Sequence, residues 1–93
     1  MIRRVEFTRR AEKQVRRLPG RVVRKLKTWT YLVEEIGLEE VRKTPGYHDE
    51  PLVGRRRAMR SIRLSRGYRA MYRLVRQAGV EVVSIEEVSK HGY

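Results

Sequence analysis

The sequence predicts an α+β fold in one domain spanning residues 1–93. The expected architecture is a small, antiparallel-rich, four-stranded sheet packed against an N-terminal helical hairpin, in the order β-α-α-β-β-β. Three observations predict it. Between residues 9 and 36 apolar residues recur at spacings of three and four, the period of an amphipathic helix. After residue 59 they alternate, the period of a half-buried strand. Pro19-Gly20 interrupts the first pattern, and residues 65–67 and 77–79 interrupt the second, which yields a helical hairpin followed by three strands.

Each element has a local reason. Residues 2–7 alternate weakly and read as a short strand. Thr8 suits an N-cap, where its hydroxyl accepts a bond from an unpaired amide of the first turn. Ala11, Val15 and Leu18 follow it at helical spacing. In the second helix Val22, Val23, Leu26, Trp29, Leu32, Val33 and Ile36 form an apolar stripe. Gly37 stands where a helix-terminating glycine belongs. Residues 38–43 allow one more helical turn, and Pro45-Gly46 opens a loop through Gly54. In residues 59–65, Ile62 and Leu64 take one face and Ser61 and Arg63 the other. In residues 68–75, Tyr68, Ala70, Tyr72 and Leu74 oppose Arg69, Met71 and Arg73. Residues 80–88 form the last strand. A thin sheet must bury one face, so the helices cover the apolar side. The arginine side is left open, concave and positive.

Composition excludes several functions. The chain has 93 residues, 23 Lys+Arg against 11 Asp+Glu, and a net charge of +12. It has no cysteine, hence no disulfide framework, thiolate metal site or cysteine nucleophile. Its two histidines, His48 and His91, are too few for a histidine metal cage. No apolar run approaches the roughly 20 residues of a membrane span, and Arg3 and Arg4 precede no signal-peptide segment. The expectation is a cytoplasmic protein with no membrane partner.

The positive charge is blocked and mostly arginine. Residues 55–77 hold nine arginines and no carboxylate, and residues 1–30 are also strongly basic. A solvated face normally mixes both signs. Arginine offers a planar fork that grips phosphate through two hydrogen bonds and stacks on bases. Such a block is a local anion trap.

Three places hold groups suited to chemistry. In the loop 46–52, Glu50 is a candidate general base, its backbone restricted by Pro51. A loop carboxylate also serves as a surface or capping group. On the strands, Arg63, Arg69 and Arg73 are candidate donors to the negative charge that develops on an attacked phosphodiester; arginines so placed also bind phosphate without catalysis. At the C-terminal end, Lys90, His91 and Tyr93 offer a cation, a group that titrates near neutrality and a ring for stacking. No metal-ligand spacing, glycine-rich phosphate loop or nucleophilic triad appears. Any hydrolysis is therefore expected to be metal-free, with no cofactor, and to lean on side-chain acid–base groups.

Five segments in order resemble one family. They are Val5-Glu6-Phe7-Thr8, Gly46-Tyr47-His48-Asp49-Glu50-Pro51-Leu52, Arg60-Ser61-Ile62-Arg63-Leu64-Ser65, Tyr68-Arg69-Ala70-Met71-Tyr72 and Glu87-Val88-Ser89-Lys90-His91-Gly92-Tyr93. Together they resemble the RelE/ParE superfamily of toxins from bacterial type II toxin–antitoxin pairs, over nearly the whole chain. The resemblance implies a RelE-like fold and a ribosome-dependent endoribonuclease that cuts messenger RNA in the ribosomal A site. In the branch typified by YoeB, the matching motifs put Glu50, Arg69, His91 and Tyr93 in the catalytic set. Arg60, Arg63, Arg73 and Lys90 are then the expected RNA and phosphate contacts. Gly92 separates His91 from Tyr93, whereas that branch has the two adjacent. The implied partners are a cognate antitoxin, the ribosome and messenger RNA, with DNA reached only through the antitoxin. Two other functions share these features: a ParE-like inhibitor of DNA gyrase, and a basic RNA-binding module without catalysis.

Overall fold

The computed structural model describes residues 1–54 and 58–90. The elements are β1 (Arg4–Phe7), α1 (Arg9–Val15), α2 (Gly20–Ile36), α3 (Leu38–Val41), β2 (Glu50–Pro51), β3 (Arg60–Ser65), β4 (Tyr68–Gln77) and β5 (Val80–Lys90), with a 3₁₀ turn at Pro45–Tyr47. The class is α+β, as the sequence predicts, but the sheet has five strands instead of four, in the order β1-β5-β4-β3-β2. The added strand is Glu50–Pro51, expected as loop, which pairs antiparallel with β3. It is a sheet edge, where the missing proline N–H breaks no ladder bond. β1 pairs with β5 in parallel and the other pairs are antiparallel.

Local chemistry accounts for the helical layer. The Thr8 hydroxyl accepts from the Ala11 amide at 3.1 Å and caps α1. The helix ends at Val15, so Leu18 lies in the turn before Pro19 caps α2. Gly37 stops α2 with φ +91°, a backbone state that side chains resist. Its neighbour Leu38 donates its amide to the Ile2 carbonyl at 2.7 Å, which ties the helix end to the strand entering the sheet. In α2 the buried seam is Val22, Leu26, Trp29 and Val33. It passes to Leu38 of α3, leaving Ile36 exposed rather than on the stripe.

This seam meets Ile62, Leu64, Ala70, Tyr72, Val83, Ile85 and Val88 of the sheet in one core. The Trp29 and Tyr72 rings meet at 5.4 Å between centroids, tilted by 45°. Two irregularities preserve the alternation. Opposite Met71 and Tyr72 the β5 partners are Glu87 and Ile85, so Glu86 is an extra residue. Opposite Arg69 and Tyr68 the β3 partners are Arg63 and Ser65, so Leu64 is extra. Each is a bulge of one residue that resets the register, and the one at Glu86 keeps Val83, Ile85 and Val88 facing the helices.

β2 is two residues long and is held by a buried carboxylate. The Asp49 side chain is 1% exposed and pairs with Arg60 Nε at 2.6 Å. The Tyr72 hydroxyl donates to its other oxygen at 2.6 Å. Arg60 also donates to the Asp49 carbonyl at 3.3 Å, and Arg42 Nε donates to the Tyr72 oxygen at 3.4 Å. Burial pushes the Tyr72 phenol up to about 12, reinforced by its bond to the Asp49 carboxylate.

Removing one partner of a buried ion pair leaves the other unsatisfied. Asp49→Ala should therefore cost about 3 kcal/mol of stability, read from urea unfolding. The unfolded chain releases the tyrosine proton near pH 10, whereas folded Tyr72 holds it to about 12. The stability that Tyr72 contributes is thus complete below pH 10 and is lost as pH rises toward 12. Ultraviolet titration should show a late tyrosine step toward pH 12, and Tyr72→Phe should remove it.

Candidate functional site

Residues directly opposite on neighbouring strands share a face. On the face away from the helices, two cross-strand rows lie side by side. One runs Glu50, Ser61, Met71 and Glu87 through β2, β3, β4 and β5. The other runs Arg63, Arg69 and Ser89. Successive strand residues point to opposite faces, so Asp49 turns inward to the Tyr72 side and Glu50 outward. His48, with left-handed backbone at φ 47°, precedes this switch.

The two rows frame a hollow of about 500 Å³, lined by Leu52, Ser61, Arg69, Met71, Glu87 and Lys90 among others. Arg69 Nη2 lies 3.1 Å from Glu50 Oε1 across its rim. The arginine side chain is 16% exposed and the glutamate 59%, so the guanidinium is fixed by its surroundings while the carboxylate faces solvent. Lys90, the last residue of β5, lines the hollow and is exposed. Arg63 stands beside Arg69, as the sequence suggests, and is exposed.

Two predicted phosphate contacts sit elsewhere. Arg73 is on the Arg69 face but four residues along β4, about 13 Å away at ~3.3 Å per residue. There it pairs with Glu86 at 3.2 Å, and Ser84 Oγ donates to the same carboxylate oxygen at 2.6 Å. Arg60 is the direct partner of Tyr72, on the helix-covered face, and serves the Asp49 clamp. His91 and Tyr93 lie outside the described residues.

The sequence assigns no role to two residues in the hollow. Glu87 is 14% exposed at its side chain and lies 3.5 Å from Arg10 Nη2, so α1 reaches the rim of the hollow. Ser61 is 1% exposed, and its hydroxyl has no hydrogen-bond partner among the described residues. Only the strand register, which pairs it with Glu50, could have marked it. Among the described residues no group of three or more metal-ligating side chains occurs, and no helix is long and apolar enough to cross a membrane.

With this geometry defined, the chain compares directly with solved structures. The YoeB/ParE toxin from Agrobacterium tumefaciens superimposes with a TM-score of 0.71 at 16% identity, covering 96% of this chain and 99% of that one. YafQ from E. coli strain BL21(DE3) gives 0.71 at 21% identity, covering 95% and 92%. The intact E. coli RelBE toxin–antitoxin complex gives 0.62 at 28% identity, covering 97% and 98%. The fold is that of the RelE/ParE toxin superfamily, the one that the sequence motifs resemble. No protein-family model matches the chain, and no curated protein matches it.

A buried hydroxyl without a partner forfeits its hydration. Ser61→Ala should therefore raise stability by about 1 kcal/mol, read from the urea midpoint at unchanged slope.

Proposed function

We propose that the chain is the toxin of a type II toxin–antitoxin pair and a ribosome-dependent endoribonuclease that cuts messenger RNA in the A site. The observation that carries this reading is the Glu50–Arg69 pair, 3.1 Å apart at the rim of a hollow on the open sheet face. A base and a permanent cation side by side are what attack by a ribose 2′-hydroxyl on its own 3′-phosphate requires. Glu50 takes the 2′-hydroxyl proton, and the freed oxygen bonds to phosphorus. Arg69, with Arg63 beside it, holds the charge that grows on the non-bridging oxygens. The bond from phosphorus to the 5′-oxygen breaks, and His91 protonates that oxygen. The products are a 2′,3′-cyclic phosphate and a 5′-hydroxyl.

His91 directly follows Lys90, which lines the hollow. Tyr93 stacks on a base or orients the backbone, and Lys90 adds charge. Ser61, on the floor of the hollow and opposite Glu50, supplies a hydroxyl to the substrate. That its hydroxyl has no partner among the described residues supports this role. A stable fold gains nothing from it, whereas a ligand oxygen would satisfy it. The scheme calls on no cofactor. The setting is the bacterial cytoplasm, and the protein partner is an antitoxin whose acidic segment covers the arginine face. DNA contact in such a complex belongs to the antitoxin. The solved RelBE and DinJ–YafQ complexes, each a toxin bound to its antitoxin, support this partner.

The test is primer extension on a translated message. Wild type should give cleavage within codons, only while the message is translated. Arg69→Ala should lose roughly 10²–10³-fold in rate, the usual loss for one transition-state donor. Glu50→Gln should remove the acidic limb of the pH–rate profile and His91→Gln the alkaline limb. Unchanged cleavage in both mutants would overturn the scheme. Inhibition of gyrase supercoiling without RNA cleavage would assign the chain to the ParE type of action instead.

A further inference from the structure

A second hollow, of about 370 Å³, is lined by Lys25, Gly46, Arg63, Leu64, Ser65 and Arg66. Its three cations come from α2, from β3 and from the turn between β3 and β4. No carboxylate lines it. Among the described residues Lys25, Arg63 and Arg66 form no ion pair, while the neighbouring Arg60, Arg69 and Arg73 each do. Three like charges around one hollow repel one another unless an anion sits among them. Lys25 is also held in place: its Nζ lies 4.7 Å from the centre of the Tyr47 ring, and Tyr47 is buried. Above Gly46 the space is open, since a Cβ there would meet nothing within 4 Å.

Arg63 lines this hollow, and its neighbour Arg69 lines the other. The two are direct cross-strand partners, and adjacent strands lie about 4.8 Å apart. We propose that the Lys25–Arg63–Arg66 hollow binds a second backbone phosphate of a single-stranded RNA whose scissile phosphate lies at Arg69. The assignment of the strand as substrate rests on the nuclease reading above; the anion site itself does not. The RNA then crosses the sheet from β4 over β3 toward α2, and the second grip fixes its direction at the cut.

The test is fluorescence anisotropy with an end-labelled, fully 2′-O-methylated single-stranded RNA. That probe lacks the attacking hydroxyl, so binding is read without cleavage. The variant Lys25→Gln/Arg66→Gln should lower the slope of log affinity against log salt by about 0.7, the share of one phosphate contact on a single strand. Arg24→Gln/Lys27→Gln, two exposed cations of the same helix outside this hollow, should change it by much less. Equal slope losses in the two double variants would mean diffuse charge and overturn the site. So would an unchanged slope in the first variant, or an equal loss on a blunt RNA duplex. If the slope falls as expected while the wild type leaves a translated message uncut, the nuclease reading fails and the anion site stands. If cleavage depends on Arg69 but the slope does not move, the reverse holds.

Discussion

The buried Asp49 carboxylate is the contact on which the site depends. An edge strand of two residues has too few ladder bonds to hold its own register. Here the residue before it is locked by Arg60 from β3 and Tyr72 from β4. Fixing Asp49 on one side of the sheet fixes Glu50 on the other, because consecutive strand residues face opposite ways. The Glu50–Arg69 distance therefore follows from a clamp that never touches the open face. The neighbouring acids differ because one is closed into the layer under the helices and the other meets solvent.

The distribution of charge has the same logic. On the open face and its rim, cations outnumber carboxylates, and the net charge of +12 belongs to a chain of only 93 residues. A domain of this size buries a modest share of its surface and has little stability to set against self-repulsion. Several arginines are committed within the protein: Arg60 to Asp49, Arg73 to Glu86 and Arg10 to Glu87. These pairs steady the β5 rim and the β2 edge. Arg63, Lys25 and Arg66 have no such partners among the described residues. A polyanion or an acidic protein segment placed there gains attraction and relieves repulsion at once. Any two such anions therefore compete for the same surface on simple electrostatic grounds.

What the sequence made legible was local. Thr8 as a cap, Pro19 as a break and Gly37 as a stop each act within one turn of chain, and each stands as expected. The alternation after residue 59 located β3, β4 and β5. What escaped depends on distant partners. Glu50–Pro51 is too short to show a period, and it is a strand only because β3 offers an edge. Arg60 sits in an arginine-rich run and resembles its neighbours, yet parity with Tyr72 turns it to the covered face. The bulges at Leu64 and Glu86 shift register without a glycine to announce them. Ser61 and Glu87 enter the site row only once four strands are aligned. The motif resemblance did bring Glu50 and Arg69 together, a pairing that no periodicity contains.

In the proposed reaction the resting pair must open. Arg69 donates to Glu50 in the free protein, so the group cast as base and the group cast as phosphate donor occupy each other. A phosphodiester entering the hollow offers Arg69 an anion of equal charge with a better match to its fork. Exchange of one carboxylate for one phosphate keeps the number of charge-assisted bonds at the guanidinium constant. It also releases a carboxylate lone pair beside the ribose. Because Arg69 is mostly enclosed and Glu50 mostly exposed, the glutamate is the member that moves. The pair thus keeps the arginine oriented in the absence of RNA, and substrate binding itself sets the base free.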